Sequence, residues 1–392
     1  MNQNFDAIII GAGVMGTSIA FHLTERGLKP VILERKQLGF GATGSSSGLV
    51  RMHYDLEAES RLAWVSFQYF RNWSARVGGD CGFRRTGFLH IEPAKNHAQL
   101  RANVEMQKKI GIPTEVITGA DVKRISPSFI TDDIEIAAYE PESGYADATL
   151  TTNSFLTIAR ERGAVYMQDC DVTEALMAGG KVTGVKTSRG DFSAPVIINA
   201  AGAWAGKVSN LFDVPIPLDT WTHDVVHVRR PASIGEHLTV IDSSLGMYFR
   251  PDSGSLTLIA LEDDNRMGES ADTDLGYVAK DFVDRAIERI CMRIPAMEEG
   301  SLHSSHVGRD GLTPDQRAIL GPAGPQGYYL ATGFSGTGFK LSPAIGLCMS
   351  ELILDGKAVT VDISGFTPSR FEDGKLLKGE HDYGFIWRNA SS

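Results

Sequence analysis

Cysteine is scarce in this chain. Four are scattered over 392 residues, at positions 81, 170, 291 and 348, and none forms a C-x-x-C pair. That spacing excludes a disulfide framework and a tetrahedral zinc site, and it suits a reducing, cytoplasmic setting. Positive charge is also in short supply. Lys and Arg number 38 against 48 Asp and Glu, a net charge of -10, which argues against nucleic acid or an anionic membrane surface as partner. No apolar run approaches the length of a membrane span. The opening "MNQNFDAIIIGAG" has neither a basic leader nor a small-residue cleavage site, so its apolar run reads as a strand rather than a signal peptide. Repeats and low-complexity segments are missing too. The hydrophobic fraction of 42% and charged fraction of 22% are those of an ordinary folded protein, and the length allows two domains.

What the chain does have begins at residue 6. "DAIIIGAG" is a short β run, "VMGTSIAFHLTERG" has helical periodicity and stops at Gly27, and "PVILER" is a second β run. Two β runs joined by a helix imply parallel strands with a right-handed crossover. Gly11-Ala12-Gly13-Val14-Met15-Gly16 is therefore G-x-G-x-x-G in the context that gives it meaning. Its first glycine permits the turn, its second lets the backbone approach a pyrophosphate, and its third allows close helix–strand packing. Glu34 ends the second β run about twenty residues on, where a carboxylate grips ribose hydroxyls. The motif alone fits NAD or FAD. The Gly/Ser-rich loop "GFGATGSSSGLVR", directly after Arg35, favours the longer FAD, which needs a second close backbone approach. "INAAGAW" provides another.

Further along, helices are expected over 56–76, 96–111, 148–163, 276–293 and 343–356. β runs are expected at 164–173, 181–188 and 194–206, and a strand-rich region from 215 to 262. His223 and His227 share one strand face, and "HSSH" at 303–306 places two histidines close together. Neither pair has a carboxylate or cysteine at metal-site spacing, so no metal is expected.

In their order, "IIIGAGVMGTSIAFHLTERG", "VILER", "GATGSSSGLVR", "VIINAAGAWAG", "LTPDQRAILGP" and "YYLATGFSGTGFKLSPAIG" resemble the D-amino-acid-oxidase superfamily of flavoproteins, nearest its sarcosine oxidase and glycine oxidase branch. The resemblance runs from Ala7 to about Gly356. It implies an α/β fold: a Rossmann-like FAD-binding domain of the glutathione-reductase type, with an α+β substrate domain on a second, mostly antiparallel sheet. The FAD-binding domain would comprise residues 1–76, 141–214 and 305–392, and the substrate domain residues 77–140 and 215–304. The resemblance implies FAD contacts from Gly11, Gly13, Val14, Met15, Gly16, Glu34 and Arg35, then from Gly41, Ala42, Thr43, Ser46, Ser47 and Leu49. Val172, Ala200, Ala201, Gly202, Trp204, Gly308 and Arg309 would follow, with Gly333, Ser335, Gly336, Thr337, Gly338, Phe339 and Lys340 at the late glycine loop. Arg51 and Lys340 would hold a substrate carboxylate and Tyr248 would line the pocket. His53, two residues after Arg51 and on the same face of an extended segment, reads either as a hydrogen-bonded structural histidine or as a group that tunes the field near the substrate amine.

Two departures from the family pattern matter. "VGRDGLTPDQ" lacks the cysteine that attaches flavin in monomeric sarcosine oxidases, so FAD is expected to be non-covalent. The oxygen-activating lysine of the family would fall in "SLTLIAL", where the nearest match is Thr257, so oxygen, a quinone or a partner protein all remain as electron acceptors. The expected activity is oxidation of a small amino or imino acid, secondary or N-methylated, by hydride transfer to flavin N5. The alternatives are a 2-hydroxy-acid dehydrogenase, with His53 as base, and a flavin subunit of a heteromeric complex, with Phe385 and Trp387 of the tail as a contact surface.

Overall fold

The computed structural model describes residues 3–263 and 265–384; Phe385 and Trp387 lie outside them. The strand Ala7–Ile10 is buried on both faces, as its unbroken apolar run requires. It lies inside a six-stranded sheet ordered 319–322, 328–332, 197–199, 7–10, 30–33, 165–167. Every neighbouring pair is parallel except the first, which is antiparallel. The chain leaves residues 7–10 for a strand on one side and places residues 197–199 on the other. A crevice therefore opens at the carboxyl end of this strand, where Gly11–Gly13 turn into the helix Val14–Glu25.

One face of this sheet is covered by a small sheet ordered 3–4, 190–193, 181–187, 172–178, with Ile8, Val31, Val185 and Phe192 between them. Against the other face the helices Val14–Glu25, Ala148–Glu161 and Gly338–Asp355 pack together around Phe21, Phe155 and Ile345. The first and last of these approach closely at Gly346. A Cβ added there would collide with Ser18 Oγ and meet Ser18 C at 2.8 Å. Ser18 Oγ donates to Ser342 O at 2.7 Å across the same contact.

The helix expected over 343–356 begins five residues earlier, at Gly338. Pro343 reads as a helix start, yet it sits inside the helix and leaves the Phe339 carbonyl without its amide partner. Ser342 Oγ supplies the missing donor at 2.8 Å. Lys340 is therefore helical rather than part of the glycine loop. The helix expected over 56–76 is two, Glu57–Phe70 and Trp73–Arg76. The β run expected at 164–173 divides between two sheets, as Val165–Met167 and Val172–Ala178.

A nine-stranded sheet forms the remaining layer. Its strands run 266–267, 219–229, 256–261, 247–252, 239–242, 88–91, 136–140, 115–118, with 301–312 on the free side of 219–229. All pairs are antiparallel except 239–242 beside 88–91. Alternation sends Val226, Val240, Phe249 and Ile259 to one face, under Phe282, Ala286 and Ile290 of the helix Lys280–Arg293. The other face carries His90, Ile241 and Tyr248 in register across three strands. The long strand Ser301–Leu312 was not foreseen from composition, because "SLHSSHVGRDGL" has little β character. Pairing with Asp219–Arg229 along its whole length holds it in place. The expected domain division at 304/305 falls inside this strand, since the ladder continues without a gap to Leu312.

Replacing Gly346 by Val should separate the helices Val14–Glu25 and Gly338–Asp355, at a cost of about 1–3 kcal/mol. A lowered midpoint in urea or thermal unfolding is the expected result.

Candidate active site

A cavity of about 570 Å³ begins at the Gly11–Gly13 turn and continues under the polar face of the nine-stranded sheet. Gly11, Gly13, Val14, Met15, Glu34 and Arg35 line its first part, with Gly41, Ala42, Thr43, Ser46, Ser47, Leu49, Val172, Ala200, Ala201, Gly202 and Trp204 around them. Local chemistry explains the shape. Gly11 has φ +106°, and a Cβ there would meet Ala200 O at 2.5 Å. Glu34 is held by two backbone donors, Ala12 N–H at 2.8 Å and Lys36 N–H at 2.7 Å, which leaves each oxygen able to accept another bond. Thr43 Oγ1 takes the Val14 N–H at 3.0 Å, tying the Gly/Ser loop to the start of the helix.

The far part of the cavity is lined by Arg51, His53, Tyr248, Glu262 and Lys340, with Ser335, Gly336, Thr337, Gly338 and Phe339 closing one side. Arg51 stacks over the Tyr54 ring, 4.3 Å from its centroid, and donates to the carbonyl of His53. Its Nε is buried without a partner. Lys340 Nζ donates to Gly336 O at 3.1 Å. Neither cation forms an ion pair among the described residues. Burial, reinforced by the positive charge of Arg51, pushes Lys340 down to about 7.

His53 is buried with both ring nitrogens engaged. Gln107 Nε2 donates to Tyr54 O, so Gln107 Oε1 must accept from His53 Nδ1, at 2.9 Å. His53 Nε2 is then the acceptor for Tyr383 Oη, at 2.7 Å. Desolvation, with His90 and Arg51 adding to it, holds His53 well below the usual histidine range, so the ring is neutral. Tyr248, whose hydroxyl pairs with Ser47, is pushed up to about 12 by burial.

Four of the expected contact residues do not line the cavity: Gly16, Gly308, Arg309 and Gly333. Gly16 acts in packing, since a Cβ there would collide with Gly11 O. Gly308 lets its strand lie against the pocket wall, where a Cβ would meet His223 Nε2 at 2.7 Å. Gly333 has φ +66° and turns the chain beside Thr313. Arg309 points away and donates to Ala271 O at 2.9 Å, Thr273 O at 2.8 Å and Glu269 at 3.2 Å. Thr257 is buried on the opposite face of its strand, bonded to His237 Nε2 at 2.8 Å; Leu258 and Ala260 are the residues on the Tyr248 side. Several lining residues were not foreseen: Glu262, His90, Glu92, His223 and Tyr383. The strand register that places the first three cannot be read from one sequence. Tyr383 lies over 320 residues from the His53 it touches.

The family of FAD dependent oxidoreductases designated DAO matches residues 6–352. The chain belongs to the DAO family. It is 27% identical over 382 residues to "Sarcosine dehydrogenase, mitochondrial" of Homo sapiens, an alignment covering 93% of this chain and 41% of that protein. Glycine oxidase of Geobacillus kaustophilus (strain HTA426) is 24% identical, over 94% of this chain and 98% of that protein. The crystal structure of L-proline dehydrogenase from P. horikoshii superposes with a TM-score of 0.90 at 26% identity, covering 96% of this chain and all of that one. The chain spans about two-fifths of the length of the sarcosine dehydrogenases it matches.

The family is one of FAD dependent oxidoreductases, and the cavity of this chain fits that cofactor. The helix Val14–Glu25 has Gly13 as its N-cap, which has no side chain to cap it, so its positive end faces the turn where a diphosphate would lie. Glu34 retains acceptor capacity for ribose hydroxyls, and the glycines at 336 and 338 bring backbone to the far end. No metal cluster occurs among the described residues, and no helix among them is long and apolar enough to cross a membrane.

Glu34→Ala removes an ionised acceptor and the brace on Ala12 N–H. It should weaken FAD binding roughly 10–100-fold, measured by flavin fluorescence on titrating the apoprotein.

Proposed function

We propose that this enzyme oxidises a small amino or imino acid, secondary or N-methylated, with the substrate carboxylate held between Arg51 and Lys340. One observation carries the reading: two cations line the far part of one cavity and neither has a carboxylate partner among the described residues. Buried charges are normally paired, so an anionic ligand is the natural complement. Arg51 offers a rigid fork of donors and Lys340 a compact point charge. Tyr54 fixes the plane of the fork by stacking beneath it. Clamping the carboxylate orients the neighbouring carbon, and the neutral His53 adds no positive charge beside the amine. FAD, when bound, supplies the acceptor for a hydride from the substrate carbon. Tyr383 and its neighbours 382 and 384 border the substrate end and limit the entry of water. The names of the relatives, which include a sarcosine dehydrogenase, a glycine oxidase and an L-proline dehydrogenase, point to the same substrate class.

The 2-hydroxy-acid alternative asks for a general base, and His53 has both nitrogens engaged. That favours the amine. Leu258 and Ala260 put no cation on the Tyr248 side of their strand, which favours a quinone or partner protein over oxygen as electron acceptor. FAD attachment is non-covalent in this reading. On the same reading the substrate domain is residues 77–140 and 215–304, with the strand Ser301–Leu312 crossing its last boundary.

Anaerobic mixing with a panel of amino, imino and 2-hydroxy acids tests the proposal. Flavin bleaching by N-methylglycine or L-proline is expected, and bleaching by hydroxy acids alone overturns it. Arg51→Ala and Lys340→Ala should each raise KM about 10–100-fold with FAD retained, measured by steady-state kinetics with an artificial acceptor; an unchanged KM in either variant removes that residue from the clamp.

The clamp has a pH signature. An anion requires charged Lys340, whose pKa in the free pocket lies at about 7. Above that pH, binding must recharge the lysine, so propionate affinity should fall by up to about tenfold per pH unit. Titration followed by flavin absorbance reads this directly, and Lys340→Met should flatten the dependence.

A further inference from the structure

Four carboxylates gather at the end of the nine-stranded sheet that borders the substrate part of the cavity, and three of them are engaged. Asp263 takes Arg289 at 2.9 Å. Asp242 takes Arg293 at 2.8 Å. Glu92 accepts from His90 Nε2 at 2.7 Å and from Asn96 at 2.7 Å. Glu262 is the exception. It follows the strand Leu256–Leu261, two residues beyond Ala260, the register partner of Tyr248, and it lines the cavity on the same face. It is 7% exposed, its Oε2 is buried without a partner, and neither side-chain oxygen has a hydrogen bond or ion pair among the described residues. An unpaired buried carboxylate costs stability unless a ligand completes it.

From this geometry we infer that Glu262 pairs with the ammonium group of the substrate and accepts its proton. The inference rests on the amino-acid reading above and deepens it: the cavity holds a zwitterion, its carboxylate toward Arg51 and Lys340 and its ammonium toward Glu262. In the transfer one N–H bond breaks, the electron pair stays on nitrogen, and the proton forms an O–H bond on Glu262. The neutral amine that remains has the lone pair needed to expel hydride from the neighbouring carbon. A 2-hydroxy acid has no cation to offer and would leave Glu262 uncompensated. Burial, then the charges of Glu92 and Asp242, raise Glu262 to about 8, while Arg51 opposes them and Asp263 adds a smaller push upward. His90 and Tyr248 face it from the strands Phe88–Ile91 and Met247–Asp252, and Arg289 of the helix Lys280–Arg293 is occupied by Asp263. The carboxylate is therefore charged above about 8 and neutral below it. The preference for a cationic ligand should rise with pH through that value, opposite in sign to the Lys340 effect.

Two isosteric probes separate the ammonium from the carboxylate: 2-aminoisobutyrate, which has no α C–H to lose, and pivalate, which replaces the ammonium by methyl. With the FAD-loaded enzyme at pH 9, flavin absorbance titration should show 2-aminoisobutyrate bound about tenfold or more tightly than pivalate. Glu262→Gln should abolish the preference while pivalate binds at the parental affinity or more tightly, which shows the variant folded and the clamp intact. Glu262→Asp should retain part of it. The same preference in Glu262→Gln as in the parent overturns the inference. The substrate reading fails separately, if the preference holds yet no amine with an α C–H bleaches the flavin.

Discussion

The closeness of the helices Val14–Glu25 and Gly338–Asp355 is the constraint on which the site depends. Gly346 permits it, because a side chain there would strike Ser18, and the Ser18–Ser342 hydrogen bond at 2.7 Å secures it. The first helix begins at the dinucleotide turn, and the second carries Lys340 in its first turn. Packing them side by side brings motifs separated by more than 300 residues to the two parts of one cavity. The strand at 197–199 lies beside 7–10 and lets Ala200 come within reach of Gly11.

The buried charges fall into matched and unmatched groups. Several buried ions are matched. Arg317 is bidentate to Asp55 at 2.9 and 2.8 Å and also bonds Glu59, holding the loop 313–317 to the helix Glu57–Phe70. Arg370 grips Asp315 at 2.7 and 3.0 Å. Arg51, Lys340 and Glu262 also line the cavity, and these three have no ion-pair partner among the described residues. Unpaired charges of both signs around one cavity support the reading that it takes a molecule bearing both signs.

Much of the cofactor end was legible in the sequence, because it rests on local rules. G-x-G-x-x-G between a strand and a helix, Glu34 at the end of the next strand, and the Gly/Ser loop each follow from what a tight turn or a close backbone approach demands. The resemblance carried by six short stretches added Arg51, Lys340 and Tyr248, and all three line the cavity. Gly308 and Gly333 are needed for backbone packing, and Arg309 is spent on the 269–273 loop, though the same resemblance had assigned all three to the cofactor. Local chemistry cannot distinguish a glycine that admits a ligand from one that admits a neighbouring strand.

The βαβ unit, its glycine turn and Glu34 at the end of the second strand were legible from the chain alone, since the forces that form them act within some thirty residues. The far part of the cavity was set by long-range packing instead. The register of a nine-stranded sheet selects which of Thr257, Leu258, Ala260 and Glu262 face the cavity, and a slip of one residue would reverse every choice. Tyr383 meets His53 because a segment near the C-terminus folds back over the pocket, where Asn103 holds His381 O at 3.0 Å. Contacts of that kind depend on long-range packing, which no local pattern of residues encodes.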